Sequence, residues 1–260
     1  MDDLLIKMIN QVKIVDIRAY VIDQAGSGGD YHDQEAGHWI LDSKISTPMS
    51  TYLDFKNSRT SFGINVMKSI VVEVEASDGS IGVSTGQGGA PACYMIEQHF
   101  RRFIVGLDPR DINKAWDQMY RASMYYGGKG LPMWAISVVD LALWDLLGVI
   151  RNEPVYKMIG GSVRDEIELY CTGIRPDAAK EAGFIGGKMP LPFAPVDRHE
   201  GLKANVEHFQ EMRNKVGSDF WLMADCWMSL DVSYAVELAN AMQDVDLYWI
   251  EEALHPGDMD

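Results

Sequence analysis

The stretch that decides the fold runs from residue 220 to residue 252 and reads FWLMADCWMSLDVSYAVELANAMQDVDLYWIEE. It opens with a strand pattern at Phe220–Asp225, continues as a helical pattern at Val232–Met242 and ends in a second strand pattern at Leu247–Glu251. A strand, a helix and a strand in this order predict a right-handed crossover between parallel strands. The stretch therefore predicts a parallel sheet covered by helices.

The same alternation reaches back to residue 166. One strand pattern covers Glu166–Thr172, and a second, weakened by two glycines, covers Phe184–Met189. A short helical pattern begins near Pro176, and another covers residues 201–215. Four such units fit either an open doubly wound sheet or half of an eight-stranded barrel. No Gly-x-Gly-x-x-Gly follows the first strand, and acidic residues end two successive strands, where barrel enzymes place their chemistry. We therefore favour an α/β fold with a TIM-type (β/α) barrel.

The first part of the chain has a different character. Val12–Val21 reads as a strand, and Ser69–Thr85 reads as a hairpin that turns at Asp78-Gly79. Three helical patterns follow, at residues 92–104, 111–124 and 132–148, the last of them apolar nearly all round. Polar stretches at residues 25–33 and 38–61 predict long loops, which are usually functional lids or disordered. We expect an α+β domain over residues 1–130 and the first half of a barrel over residues 131–260.

Charge and composition exclude several classes of function. With 23 Lys+Arg against 38 Asp+Glu, the formal net charge is −15, which argues against a nucleic-acid surface and against docking on anionic lipid. We find no apolar stretch of the roughly 20 residues that a membrane span needs, and no basic, apolar leader. The 3 cysteines lie far apart and predict neither a disulfide framework nor a metal site. A cytoplasmic protein that binds neither nucleic acid nor membrane is expected.

Two acidic residues form a candidate metal site. Asp225 and Glu251 end neighbouring strands, which lie about 4.8 Å apart in a sheet, so their carboxylates could share an ion. Oxygen ligands of this kind suit Mg²⁺. The alternative is that each carboxylate caps a following helix or stays solvated. Because side chains alternate along a strand, only one of Glu251 and Glu252 faces the barrel interior, and counting does not decide which.

Three further residues are candidate substrate contacts. His32 and Arg59 lie in the two polar loops, and their side chains suit a polyhydroxy acid, because Arg clamps a carboxylate and His hydrogen-bonds hydroxyl groups. Lys188 ends the second strand of the barrel half, near the expected metal, where an ammonium group could stabilise negative charge or act as a base. The alternatives are ordinary surface contacts for His32 and Arg59, and an ordinary strand-end lysine for Lys188.

At this point the motifs resemble a known family. AISVVDLALWDLLG, residues 135–148, and MIGGSVRDEIELYCTG, residues 158–173, resemble the mandelate racemase branch of the enolase superfamily. The distance of 26 residues from Asp225 to Glu251 also agrees with the branch and favours Glu251 over Glu252. Within the branch, GGDYHDQ, SRTSFGIN, GFIGGKMP and FWLMADCWMS resemble the family of L-rhamnonate dehydratases.

The resemblance implies an N-terminal capping domain whose loops close over the mouth of a modified TIM barrel. It implies that Mg²⁺, held by Asp225 and Glu251, binds the carboxylate of a six-carbon sugar acid, with His32 and Arg59 as substrate contacts of the capping domain. Removal of the α-proton then gives an enolate, which expels the 3-hydroxyl to leave a 2-keto-3-deoxy acid. A homo-oligomer would suit the family.

One departure from the branch narrows the reaction. Where the branch often carries Lys-x-Lys on the second strand, this chain has Lys188 and then Pro190, which cannot accept a proton. A racemase needs bases on both faces of the α-carbon, so the departure disfavours racemisation and leaves dehydration with one base. The alternatives are a dehydratase for another sugar acid, such as mannonate or lyxonate, and a non-catalytic barrel paralogue.

The resemblance also bears on the extent of the chain. It places the base and a third metal ligand beyond Asp260, on later strands of the barrel. We therefore expect the sequence to be the first part of an enzyme of about 400 residues.

Overall fold

The computed structural model describes residues 12–22, 39–56 and 67–257, which form two compact units. Of the described chain, the first unit takes in residues 12–22 and 67–165, and the second takes in residues 39–56 and 166–257. The strands are β1 (Ile14–Val21), β2 (Ser69–Ala76), β3 (Ile81–Gln87), β4 (Tyr170–Thr172), β5 (Gly186–Pro190), β6 (Trp221–Asp225) and β7 (Ile250–Glu251). The α-helices are α1 (Trp39–Asp42), α2 (Gly89–Tyr94), α3 (Arg101–Ile104), α4 (Ile112–Ser123), α5 (Leu131–Arg151), α6 (Val155–Met158), α7 (Pro176–Glu181), α8 (Arg198–Val216) and α9 (Val232–Ala241).

An antiparallel sheet with the order β1-β2-β3 forms the base of the first unit. Ile70, Val72 and Val74 of β2 are fully buried and alternate with half-buried residues, so one face of the sheet lies on the core. The hairpin between β2 and β3 forms at the predicted turn, where Gly79 has a φ of 85° and the Asp78 carboxylate accepts a hydrogen bond from the Ser80 amide at 2.9 Å.

Helices cover the buried face of this sheet. The predicted helix over residues 92–104 forms as α2, a π-helical segment at Met95–Phe100, and α3. Helix α5 approaches β3 closely because glycine stands at Gly82, where a Cβ atom would lie 2.3 Å from the carbonyl oxygen of Ala142. One side of α5 is therefore buried in the core of the first unit.

Helix α5 changes two expectations. Its 21 residues are long and apolar enough to cross a membrane by length and composition, which corrects the statement that no apolar stretch reaches about 20 residues. Its packing is that of a core helix, since its buried side chains share one cluster with those of β1 and β2. The sequence predicts that α5 begins the barrel half, whereas its core contacts are with the antiparallel sheet. The boundary between the two compact units falls after α5, between Asp165 and Glu166.

A parallel sheet with the order β4-β5-β6-β7 forms the second unit, with α7, α8 and α9 as its connections. The predicted alternation of strands and helices is therefore present. Strand β4 is shorter than the predicted Glu166–Thr172 and covers only its last three residues. Ile167 and Leu169, the apolar residues of the missing part, are exposed because β4 is an edge strand among the described residues.

Within the second unit, residues 39–56 form short helical turns in place of the predicted long loop. The Ser46 amide donates a hydrogen bond to the Leu191 carbonyl at 2.7 Å, and the hydroxyls of Ser46 and Ser229 lie 2.8 Å apart. Lys56 forms an ion pair with Asp197 at the other end of the segment. The segment is therefore fixed to the loops that follow β5 and β6. The predicted loop at residues 25–33 lies outside the described residues.

Candidate functional site

The parallel sheet is curled, and its concave face holds the candidate site. Tyr170 lies on β4 and Trp249 lies directly before β7, at opposite edges of the sheet, yet their ring centroids are 5.2 Å apart. Four strands at about 4.8 Å each would separate these edges by about 14 Å if the sheet were flat. The two rings therefore meet inside a curved wall, as expected for part of a barrel.

Lys188, Asp225 and Glu251 converge on this face from three neighbouring strands. The Lys188 Nζ atom lies 2.5 Å from Glu251 Oε1 and 3.2 Å from Asp225 Oδ2. The side chains of Lys188 and Asp225 are only 8% and 10% exposed, and that of Glu251 is 32% exposed. The structure thus brings together three of the five predicted site residues, with one ammonium group between two carboxylates.

Strand register explains the convergence. Asp225 and Glu251 are direct partners in the pairing of β6 with β7, and Asp225 pairs with Pro190, two residues beyond Lys188. Gly187 lets β5 lie against α7, because a Cβ atom there would be 2.7 Å from the Cβ of Pro176. The glycine that weakens the strand pattern in the sequence is thus required for close packing behind the site.

Burial and charge set the protonation of the cluster. Burial on its own lowers the pKa of Lys188, but the hydrogen bond to Glu251 and the charge of Asp225 outweigh it, so that pKa lies above its ordinary value. Burial raises the pKa of Asp225, partly offset by the charge of Lys188 and its hydrogen bond. Burial also raises the pKa of the Cys226 thiol to about 12, so this neighbour carries no charge at neutral pH.

Glu251 and Glu252 differ in their surroundings. The two oxygens of Glu251 have separate partners, since Oε1 accepts from Lys188 and Oε2 accepts from the Trp249 indole at 3.3 Å. Glu252 is exposed, and its φ of 47° takes the chain out of the extended conformation. The Trp249 contact was missed at the level of sequence, although a spacing of two residues along a strand puts Trp249 and Glu251 on one face.

The two remaining predicted contacts, His32 and Arg59, lie outside the described residues. In the described part of the chain, no cluster of three or more His, Cys, Asp or Glu side chains could hold a metal ion. Asp225 and Glu251 nevertheless fit a divalent cation, because their hard oxygen atoms already converge on one positively charged group.

Comparison with known proteins agrees with this architecture. Residues 47–160 match the N-terminal domain of the mandelate racemase / muconate lactonizing enzyme family, and residues 176–260 match the enolase C-terminal domain-like family. The chain is 54% identical over 247 residues to an L-rhamnonate dehydratase from Saccharopolyspora erythraea, covering 95% of this chain and 63% of that protein.

Solved structures give the same result. The crystal structure of rhamnonate dehydratase from Gibberella zeae complexed with Mg superposes with a TM-score of 0.89 at 57% identity, covering 95% of this chain and 61% of that one. The 3,6-anhydro-D-galactonate cycloisomerase from Zobellia galactanivorans superposes with a TM-score of 0.69 at 26% identity, covering 95% of this chain and 60% of that one. The chain thus spans about three fifths of the length of these relatives.

The antiparallel α+β unit and the curled parallel sheet correspond to the two matched domains, so the parallel sheet is part of a modified TIM barrel. The chain belongs to the mandelate racemase / muconate lactonizing enzyme family of the enolase superfamily.

Proposed function

We propose that the protein is a carbon–oxygen lyase that dehydrates L-rhamnonate, a six-carbon sugar acid, to its 2-keto-3-deoxy acid in a Mg²⁺-dependent reaction. The observation that carries the proposal is the convergence of Asp225 and Glu251, at the carboxyl ends of the neighbouring strands β6 and β7, on the Lys188 ammonium group of β5. Barrel enzymes place their chemistry at this end of the strands. The identity of 54% to an L-rhamnonate dehydratase supports the choice of substrate.

Asp225 and Glu251 are proposed as two of the ligands of Mg²⁺. Mg²⁺ takes oxygen ligands and completes its shell with water and substrate, so two protein carboxylates on one side suit it. When bound, the ion would supply positive charge to the substrate carboxylate and so make its α-proton easier to remove. The related structure from Gibberella zeae was solved complexed with Mg, which supports the same ion here.

Lys188, Arg59 and His32 are proposed to bind the substrate. Asp225 and Glu251 hold the Lys188 ammonium group beside the carboxyl ends of β6 and β7, where a positive charge attracts an anionic acid. Arg59 would clamp the carboxylate through two hydrogen bonds, and His32 would bind hydroxyl groups. Because the chain carries a net charge of −15, attraction of the acid must come from such local positive groups.

The described residues favour dehydration over racemisation. Pro190 stands two residues after Lys188, pairs with Asp225 and has no group that accepts a proton. Only one face of the α-carbon would then meet a base, which dehydration allows and racemisation does not. The reaction further suggests a cytoplasmic enzyme that works on a small molecule, and the homo-oligomer expected from the family stays a proposal.

A turnover panel tests the proposed function. Full-length protein is incubated with Mg²⁺ and one acid at a time: L-rhamnonate, mannonate or lyxonate. The 2-keto-3-deoxy product is assayed in each incubation. We expect product from L-rhamnonate, loss of product on chelation of the metal, and unchanged turnover in the exposed variant Asp219→Asn. Product from another acid alone would reassign the substrate, and no product from any acid would exclude the enzyme.

A further inference from the structure

We infer that Trp249 is a positioning residue for Glu251, whose carboxylate it orients through the indole N–H. The inference rests on the proposed metal site and adds to it a group that does not itself touch metal or substrate. It follows from the division of the two Glu251 oxygens between two different donors.

Two donors set the geometry of the Glu251 carboxylate. Trp249 Nε1 donates to Glu251 Oε2 at 3.3 Å, while Lys188 Nζ holds Oε1 at 2.5 Å. A carboxylate held at both oxygens by donors from two strands has its plane fixed. Since the indole has a single N–H and is always a donor, it binds Oε2 as an acceptor. Oε1, which already faces the Lys188 ammonium group, is thus the oxygen on the side of Asp225, where the proposed cation would bind.

Aromatic neighbours support the Trp249 indole itself. The Tyr170 ring meets the Trp249 ring edge-on, at 5.2 Å and an interplanar angle of 82°, and the neighbouring Tyr248 ring lies 5.3 Å away. Edge-to-face contacts of this kind add specific stabilisation to aromatic packing. Lys188 Nζ in turn lies 5.9 Å from the centre of the Tyr170 ring. Tyr170 of β4 thus contacts both groups that hold Glu251.

Orientation of the Glu251 carboxylate has a consequence for metal binding. A ligand carboxylate that is already oriented loses less freedom when it binds an ion, and loss of such supporting hydrogen bonds typically weakens metal affinity by about 10- to 100-fold. Trp249→Phe keeps an aromatic ring in contact with Tyr170 but removes the N–H. Trp249→Leu removes both the N–H and the ring.

The experiment measures the Kd of Mg²⁺ by calorimetry on metal-free full-length protein, together with the Tm of the metal-free protein. Trp221→Phe is the matched control, because Trp221 stacks on Tyr248 at 4.3 Å and has no hydrogen bond to Glu251. We expect Trp249→Phe to raise the Kd about tenfold, Trp249→Leu to raise it by a similar factor with a larger fall in Tm, and Trp221→Phe to leave it unchanged.

The outcomes separate the inference from the proposed function. If Mg²⁺ binding by the wild-type protein depends on Asp225 but Trp249→Phe leaves the Kd of Mg²⁺ unchanged, the positioning role of Trp249 is overturned and the proposed metal site is not. A Kd that rises in Trp249→Leu but not in Trp249→Phe also overturns it, since packing rather than the N–H would then be responsible. If Mg²⁺ binding does not depend on Asp225, both the positioning role of Trp249 and the proposed metal site are overturned.

Discussion

Asp225 and Glu251 are direct partners in the parallel pairing of β6 with β7, and the Lys188 ammonium group lies between their carboxylates. With both acids ionised, the cluster holds two negative charges and one positive charge on the concave face of the sheet. It is mostly buried, so these charges are only partly screened by water. A second cation in this place would therefore be electrostatically favourable.

Replacing Lys188 with Met leaves the two carboxylates facing each other without a positive charge. Removing one partner of a buried ionic cluster costs about 3 kcal/mol, so we expect a loss of that size in the free energy of unfolding in EDTA. Saturating Mg²⁺ should recover part of the loss, because it restores positive charge between the acids. Urea denaturation with and without Mg²⁺ checks this, with exposed Lys215→Met as the control. An equal loss in both conditions would count against a shared cation site.

Arg213 of α8 links the segments that precede β6 and β7, at the end of these strands that lies away from the candidate site. Its buried guanidinium donates to four backbone carbonyls at 2.6–2.8 Å, those of Gly217, Phe220, Val245 and Asp246. Arg213→Met leaves these acceptors without their donor, and we expect a loss of about 3 kcal/mol in the free energy of unfolding. Arg213→Lys should recover only part, since an ammonium group lacks the planar fork of donors. Full stability of Arg213→Met in chemical denaturation would refute this role.

Gly82 of β3 sets how closely α5 packs on the antiparallel sheet. A Cβ atom there would lie 2.3 Å from the Ala142 carbonyl oxygen and 2.4 Å from the Leu146 amide nitrogen, both of them backbone atoms that cannot move aside alone. Gly82→Ala should therefore lower the Tm by several degrees or prevent folding. Gly173→Ala is the matched control, because no atom lies within 4 Å of a Cβ there. Equal Tm values for the two variants would contradict the packing described.

Asp16 links stability to pH in the first unit. The hydrogen bond from Arg101 holds the pKa of this carboxyl below its ordinary value, and Arg18 adds a contact at 2.8 Å. A folded-state pKa below the unfolded value, about 3.9, stabilises the protein above that value, and this stability is lost as the pH falls through the folded pKa. In Asp16→Asn the free energy of unfolding should be lower at pH 6 and should fall less below pH 4. Superimposable pH profiles of the two proteins would rule out the linkage.

Local patterns predicted much of the fold because the residues concerned act on their own neighbours. The Asp78-Gly79 turn needs only a positive φ, and the alternation in β2 needs only one buried face. Strand β4 was predicted too long because the exposure of Ile167 depends on what lies beside it in space. The length of α5 likewise did not reveal that its partner is the antiparallel sheet.

The candidate site was partly predictable for the same reason. Predicted strand ends located Asp225, Glu251 and Lys188, although β5 continues two residues beyond Lys188 to Pro190, and the resemblance favoured Glu251 over Glu252. What no local pattern provides is distance across the sheet, including the approach of Lys188 to both acids and the meeting of Tyr170 with Trp249. Trp249 could have been noted from its spacing to Glu251, whereas the four acceptors of Arg213 come from chain segments up to 33 residues away.

The central claim is that Asp225 and Glu251 hold a divalent cation, and calorimetric titration of Mg²⁺ into metal-free full-length protein tests it most directly. The account predicts one Mg²⁺ per chain for wild-type protein, a Kd at least about 100-fold higher for Asp225→Asn, and an unchanged Kd for the exposed neighbour Glu252→Gln. Equal affinity of wild type and Asp225→Asn, or loss of binding in Glu252→Gln alone, would contradict it.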